Sequence, residues 1–228
     1  MDAIIKIGGS ILQNQAGKKL LKAFNALRKQ FSFVILPGGG AFANLVREYH
    51  KKFQLSEDRS HWMAILCENI LGFLILENLE SGVPVFELSE IPKVIQAARI
   101  PVFLPFQHLF TQDPLPHSWE VTSDSIAAYL AEILKAQKLI LVKDVDGIYT
   151  RDPKKYPEKE LQFLETINAN SEVLSNLPTS CIDRYLPHLL QQYHRSCYIV
   201  NGLYPERLEK VLRNEKTKFS QITSTDIV

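Results

Sequence analysis

Three short stretches combine charge and bare backbone in ways suited to phosphate chemistry: Lys6-Ile7-Gly8-Gly9-Ser10, Pro37-Gly38-Gly39-Gly40 and Lys143-Asp144-Val145-Asp146-Gly147-Ile148-Tyr149. Successive glycines leave backbone N–H groups uncovered, and such groups in a turn form a nest for an anion. Lys6 interrupts an apolar run, where an unpaired ammonium is costly to bury, so its charge is expected to meet a phosphate at the strand end. The plain alternative is an edge lysine whose stem lies along apolar surface. Lys143, Asp144 and Asp146 close another apolar run. Nucleotide phosphates with Mg²⁺ would suit them, Lys143 acting as counter-charge; otherwise they form a charged turn. Asp124, in Val121-Thr122-Ser123-Asp124, stands just before an amphipathic stretch and is a natural helix N-cap.

These residues must be positioned by alternating strands and helices. Short apolar runs predict strands over Ala3–Ile7, Phe33–Leu36, Val83–Leu88, Val102–Leu104, Leu139–Lys143 and Tyr198–Val200. Helical periods are expected over Gly17–Gln30, Ala41–His50, His61–Glu80, Lys93–Arg99, Ser125–Ala136 and Pro205–Arg213. His61–Glu80 is apolar almost all round and reads as a buried helix. This alternation predicts an α/β fold with a largely parallel sheet covered on both faces. Most of the ten glycines follow a predicted strand, at the carboxyl ends where open α/β sheets bind ligands. The spacing matches neither GxxxxGK[ST] nor GxGxxG. Arg151–Glu160, with two prolines and seven charges, is expected to be an exposed loop acting as a hinge between lobes.

Composition excludes several classes. A chain of 228 residues supports one large domain or two lobes sharing a core. Balanced charge, 26 Lys+Arg against 25 Asp+Glu, leaves no footprint for nucleic acid. The apolar stretch Ile70–Leu76 lies between Glu68 and Glu77, so no membrane span is expected. No signal peptide is visible, and three widely spaced cysteines suggest reduced thiols, so a soluble cytoplasmic protein is the expectation.

Taken in order, Lys6-Ile-Gly-Gly-Ser10, Pro37-Gly-Gly-Gly40, Ser123-Asp124, Lys143-Asp-Val-Asp-Gly-Ile-Tyr149 with Asp152-Pro153, and Val200-Asn201-Gly202 resemble the amino acid kinase superfamily. That resemblance implies a three-layer α/β/α sandwich, a single domain over 1–228. Its N-terminal acceptor lobe would cover about 1–120 and its C-terminal nucleotide lobe about 121–228. It implies that Lys6 contacts the transferring phosphoryl group, with Gly8, Gly9 and Ser10 around the ATP phosphates. Asp124 would organise the catalytic lysines. Lys143, Asp144, Asp146, Gly147, Tyr149 and Asp152 would line the nucleotide pocket, and Mg²⁺ would arrive with the nucleotide rather than in a protein cage. Gly39 and Gly40 would hold the acceptor side.

Gly38-Gly-Gly-Ala-Phe-Ala-Asn-Leu-Val-Arg47, Ser60-His-Trp-Met-Ala-Ile65 and Trp119-Glu-Val-Thr-Ser-Asp-Ser-Ile126 are similar to one branch, the [5-(aminomethyl)furan-3-yl]methyl phosphate kinases of methanofuran biosynthesis. Aspartate kinases are disfavoured by length, and isopentenyl phosphate kinases by Ala41-Phe42-Ala43-Asn44 where they carry Ser-Phe-Gly-His. The usual C-terminal Gly-Thr is Ser224-Thr225 here. A phosphomonoester acceptor needs N–H and cationic partners, which Gly38–Gly40, Arg47 and His61 would supply, with Trp119 as a wall for a flat ring. The expected partners are therefore a small-molecule phosphate acceptor and further copies of the chain, with no nucleic acid and no membrane. Two alternatives stay open: a kinase for UMP or a carboxylate, and a non-catalytic nucleotide or oxyanion binder.

Overall fold

Runs of β-branched residues buried on both sides make strands of a covered parallel sheet, and the amphipathic stretches between them make its covering helices. The computed structural model describes residues 1–13, 15–177 and 181–224. Along the chain lie β1 (Ala3–Ile7), α1 (Gln15–Leu27), β2 (Phe33–Pro37), α2 (Gly40–Phe53), α3 (Glu57–Glu77), β3 (Gly82–Val85), α4 (Ile91–Gln96), β4 (Ile100–Phe103), α5 (Phe106–Gln112), α6 (Ser123–Ile133) and β5 (Lys138–Lys143). There follow β6 (Ile148–Tyr149), β7 (Phe163–Leu164), β8 (Thr166–Asn168), α7 (Glu172–Ser175), α8 (Leu186–Gln192), β9 (Cys197–Asn201), α9 (Pro205–Leu212) and β10 (Ser220–Thr223).

Among the described residues, eight strands form one sheet in the order β3-β4-β2-β1-β5-β9-β10-β8, parallel throughout except where β10 runs against β9. The pleat divides its side chains between two cores. Ala3, Ile5 and Ile7 of β1 join the α1 and α9 side chains Leu20, Phe24, Leu208 and Val211. Ile4 joins Ile126 and Leu130 of α6 and Leu186 and Leu190 of α8 on the opposite face. The expected three-layer α/β/α sandwich with a mainly parallel sheet is what the chain forms.

Differences from the sequence reading have local causes. The strand predicted through Leu88 ends at Val85, because the Glu90 carboxylate accepts from the amides of Phe86 and Glu87 and draws the chain into a turn. α4 starts earlier than expected, with a proline in its first turn, and stops at Gln96 before Ala98 turns back at φ +52. α5, α8, β8 and β10 are too short for a periodic signal. Arg151–Glu160 is not a link between lobes: it lies in the excursion joining the antiparallel pair β6 and β7. Of Ser224-Thr225, Thr225 lies outside the described residues; β10 fits between β9 and β8 just before it.

α3 is less buried than its composition suggests. At 21 residues it is long and apolar enough to cross a membrane by length and composition, which Ile70–Leu76 alone did not indicate. Here it packs on β2 and β3, burying Ser60, His61 and Glu68 while exposing Leu66, Ile70, Phe73 and Leu74.

Candidate active site

β1 and β5 are neighbours, with Lys6 level with Leu141 and Lys143 two residues further on. Side chains two apart share a face, so both lysines point beneath the start of α6. There Thr122, not Asp124, caps the helix: its side chain accepts from the Asp124 amide at 3.4 Å. Asp124 lies instead in the first turn, with its carboxylate turned inward. Lys6 Nζ donates to it at 2.9 Å, Lys143 Nζ at 2.8 and 2.7 Å, and the Asp183 amide at 3.2 Å. All three side chains are buried: Lys6 is 5% exposed, Asp124 2% and Lys143 9%.

Burial opposes the Asp124 carboxylate, but Lys143 and Lys6 overcome it and hold its pKa at about 2. Burial lowers the Lys6 pKa, only partly offset by Asp124. Asp183 underpins the arrangement by accepting from the hydroxyls of Thr122 and Ser125 at 2.9 and 2.7 Å, and from the amides of Thr122, Ser125 and Leu186. Charge-assisted hydrogen bonds of this kind fix the α6 N-terminus and the carboxylate on it.

One cavity opens from this cluster toward the β6–β7 side. Its volume is about 340 Å³, and Lys6, Gly8, Ser10, Lys143, Asp144, Gly147, Tyr149 and Asp152 line it. Arg151, Lys154 and Cys181 line it too. Asp144 is tied to Lys154 at 2.5 Å, which with Ser10 holds its pKa down despite burial. Gly147, at φ +154, has no room for a Cβ, which would stand 2.2 Å from Ser220 Oγ.

Two expected lining residues lie elsewhere. Asp146 turns away to Arg207 (2.6 Å), Lys218 (2.8 Å) and Asn201 (2.8 Å); it binds β9, α9 and the approach to β10 together. Gly9 serves the meeting of two loops, since a Cβ on it would come 2.3 Å from Gly40 Cα. The amides of Gly8 and Gly38 are also unavailable to an anion, because they donate to Val142 O and Ile7 O at 2.9 and 3.0 Å. The remaining cradle is the start of α2, capped by Gly39, whose first-turn amides have no partner within the helix.

A second, narrower cavity of about 60 Å³ lies on the other side of the cluster. Gly39, Arg47, His61 and Trp119 line it, together with Glu57, Ala64, Ile65, Glu68 and Ser123. Gly38 and Gly40 stand behind it; a Cβ on Gly38 would touch Lys6 Cε and Ser123 Oγ, each at 3.2 Å. The Arg47 guanidinium stacks over Trp119, 4.6 Å from the ring centroid, and Trp119 Nε1 is buried with no hydrogen-bond partner among the described residues.

His61 does not open its helix, and it offers no cation. Ser56 caps α3, Glu57 and Asp58 occupy its first turn, and burial followed by the charge of His117 lowers the His61 pKa to about 4. The two imidazoles stack 4.4 Å apart, and His117 bonds to Asp58 and Asp113, each at 2.7 Å. The sequence reading missed Asp183, Glu68 and His117. Only Glu68 left a signal, as a lone carboxyl in a long apolar run.

The site is thus two cavities of unequal size meeting at a buried Lys–Asp–Lys cluster at the carboxyl ends of β1, β2 and β5. Residues 1–201 match the Amino acid kinase family profile. The [5-(aminomethyl)furan-3-yl]methyl phosphate kinase of Methanocaldococcus jannaschii is 35% identical over 227 residues, covering 98% of each chain. A uridylate kinase of Methanothermobacter thermautotrophicus is 29% identical, covering 94% of this chain and 96% of its own. Among solved structures, uridylate kinase from Archaeoglobus fulgidus superposes with a TM-score of 0.74 at 20% identity, over 98% of this chain and all of that one.

Proposed function

The chain belongs to the amino acid kinase family and is a small-molecule phosphotransferase, and from that premise we propose that it transfers the γ-phosphoryl group of ATP to [5-(aminomethyl)furan-3-yl]methyl phosphate, forming the diphosphate. Support for the acceptor comes from the M. jannaschii relative, which spans the same length. The observation that carries it is the narrow cavity walled by Trp119, beside the α2 N-terminus. Its lining sets an aromatic wall, Trp119, beside the Arg47 guanidinium and the Gly39 end of α2, which suits a small flat ring ending in phosphate.

The larger cavity fits ATP: two buried ammonium groups stand at its inner end, with Gly8 and Ser10 beside them. Asp144, at its rim, is the carboxylate best placed to face a Mg²⁺ carried by the nucleotide. Such an ion would neutralise phosphate charge. An acceptor phosphate oxygen is already an anionic nucleophile, so no general base is required. Its oxygen bonds to the γ-phosphorus as the bond to the β-phosphate oxygen breaks, and ADP leaves. Lys6, between the two cavities, would stabilise the charge on the transferring group; Asp124 would aim Lys6 and Lys143.

A second copy of the chain is the partner we assign to the exposed apolar stripe of α2 and α3, which includes Leu45, Phe53, Ile70, Phe73 and Leu74. The three free cysteines suit a reducing, cytoplasmic setting. The test of function is ADP release from Mg²⁺-ATP with the furan phosphate, UMP, isopentenyl phosphate, aspartate and N-acetylglutamate. Turnover confined to the furan phosphate is expected. Turnover of UMP in its place would reassign the acceptor, and no release with the furan phosphate would remove the acceptor proposed here.

A further inference from the structure

Between Arg59 and Glu77, α3 carries no Lys or Arg and a single carboxyl side chain, Glu68. It is 4% exposed, its Oε2 is buried without a hydrogen-bond partner among the described residues, and it lines the narrow cavity. Its depth follows from its neighbours along the helix. Ala64, one turn earlier, backs Gly39, and Leu71, in the following turn, lies against Gly9 and Gly40. Glu68 therefore stands level with the start of α2, where the acceptor's phosphate would lie.

An ionised carboxylate here would be a buried charge with no ion-pair partner among the described residues, and it would repel the phosphate. Burial, reinforced by Asp124 and Asp183 and opposed only by Lys6, pushes its pKa well above the ordinary carboxylate range. The neutral acid instead presents an O–H donor, and a group entering the cavity can accept from it. We propose that the Glu68 carboxyl donates a hydrogen bond to a phosphate oxygen of the acceptor, making it a residue that selects acceptors already carrying a phosphate. This rests on the phosphomonoester reading above. It also explains how a third carboxyl sits near Lys6 without cancelling the charge that transfer needs.

The test is calorimetric binding of benzyl phosphate, a ring-methyl phosphomonoester without an amine, with benzyl alcohol as the phosphate-free control. Glu68→Gln keeps a neutral donor and should bind benzyl phosphate within about threefold of wild type. Glu68→Ala should weaken it roughly tenfold or more, the scale of one hydrogen bond to a charged group, with the KM for ATP unchanged. Glu68→Met fills the same space without a donor and should behave like alanine, so loss of binding cannot be blamed on a cavity or on unfolding. Equal binding by the Ala and Met variants and wild type would overturn the assignment. So would a Gln variant as weak as Ala, which would show that the negative charge matters. Wild-type protein that binds no phosphomonoester would overturn the functional reading along with it, whereas the variant outcomes above bear on Glu68 alone.

Discussion

Lys6 and Lys143 share Asp124 but are not equivalent. Lys143 bonds to both carboxylate oxygens, while Lys6 touches one and lies nearer the narrow cavity, with Cε 3.2 Å from the place a Gly38 Cβ would occupy. Lys6 is thus the ammonium best placed to follow charge onto a transferring phosphoryl group. Lys6→Ala should lower kcat by ~10² or more, about 3 kcal/mol, with a smaller change in the KM for ATP. Steady-state kinetics at saturating ATP checks this, and near wild-type turnover would remove Lys6 from the catalytic set. The cluster also sets an acid limit. Asp124 has a folded pKa near 2, below its unfolded value of 3.8, so its contribution to stability is present above pH 4 and is lost as pH falls through 2.

At the scale of elements, the site depends on two loops touching without side chains. The turn after β1 meets the N-terminus of α2 at Gly9 and Gly40, the latter at φ +56. A methyl group on Gly9 would meet backbone, which cannot swing aside as a side chain can. Gly9→Ala should therefore lower stability by about 1–3 kcal/mol and raise the KM of the acceptor more than that of ATP. Thermal melting together with KM values for both substrates measures the two effects. An unchanged melting temperature would mean that the loops separate at no cost.

Across the whole molecule, the narrow cavity is held by a link between distant elements. His117 joins Asp58 in the first turn of α3 to Asp113 at the end of α5, and it stacks on His61. Burial alone would lower the His117 pKa, but hydrogen bonds to Asp113 and Asp58 raise it above 6.5. A group raised on folding stabilises fully below its unfolded pKa and loses that contribution as pH climbs through the folded value. The melting temperature of wild type should thus fall relative to His117→Asn as pH rises above about 6.5; parallel profiles would show the link to be energetically idle. The outer face of α2 and α3 has its own test. Sedimentation should show an oligomer that Phe73→Glu, on an exposed position, converts to monomer without loss of fold. A monomeric wild type would leave that stripe without the partner assigned to it.

Much of this was legible in the order of residues. Apolar runs long enough for a strand but too short for a helix placed β1, β2 and β5, because burial on both faces leaves a continuous local pattern. Lys6 and Lys143 were conspicuous because a charge interrupting or ending such a run demands a partner. Which partner was a tertiary matter. Asp124 looked like a cap, and only the register of β1 against β5, with α6 crossing above, turned its carboxylate onto both lysines while Thr122 took the cap. Asp146 and Asp144 sit two residues apart with similar neighbours, yet one faces the cavity and the other binds Arg207 and Lys218 from the far end of the chain. Asp183, 59 residues beyond Asp124, carries no local sign of its task. Burial patterns are written along the chain, where each residue's neighbours are its own. A buried charge finds its partner only after strands and helices have closed the distance, so the identity of that partner belongs to the fold.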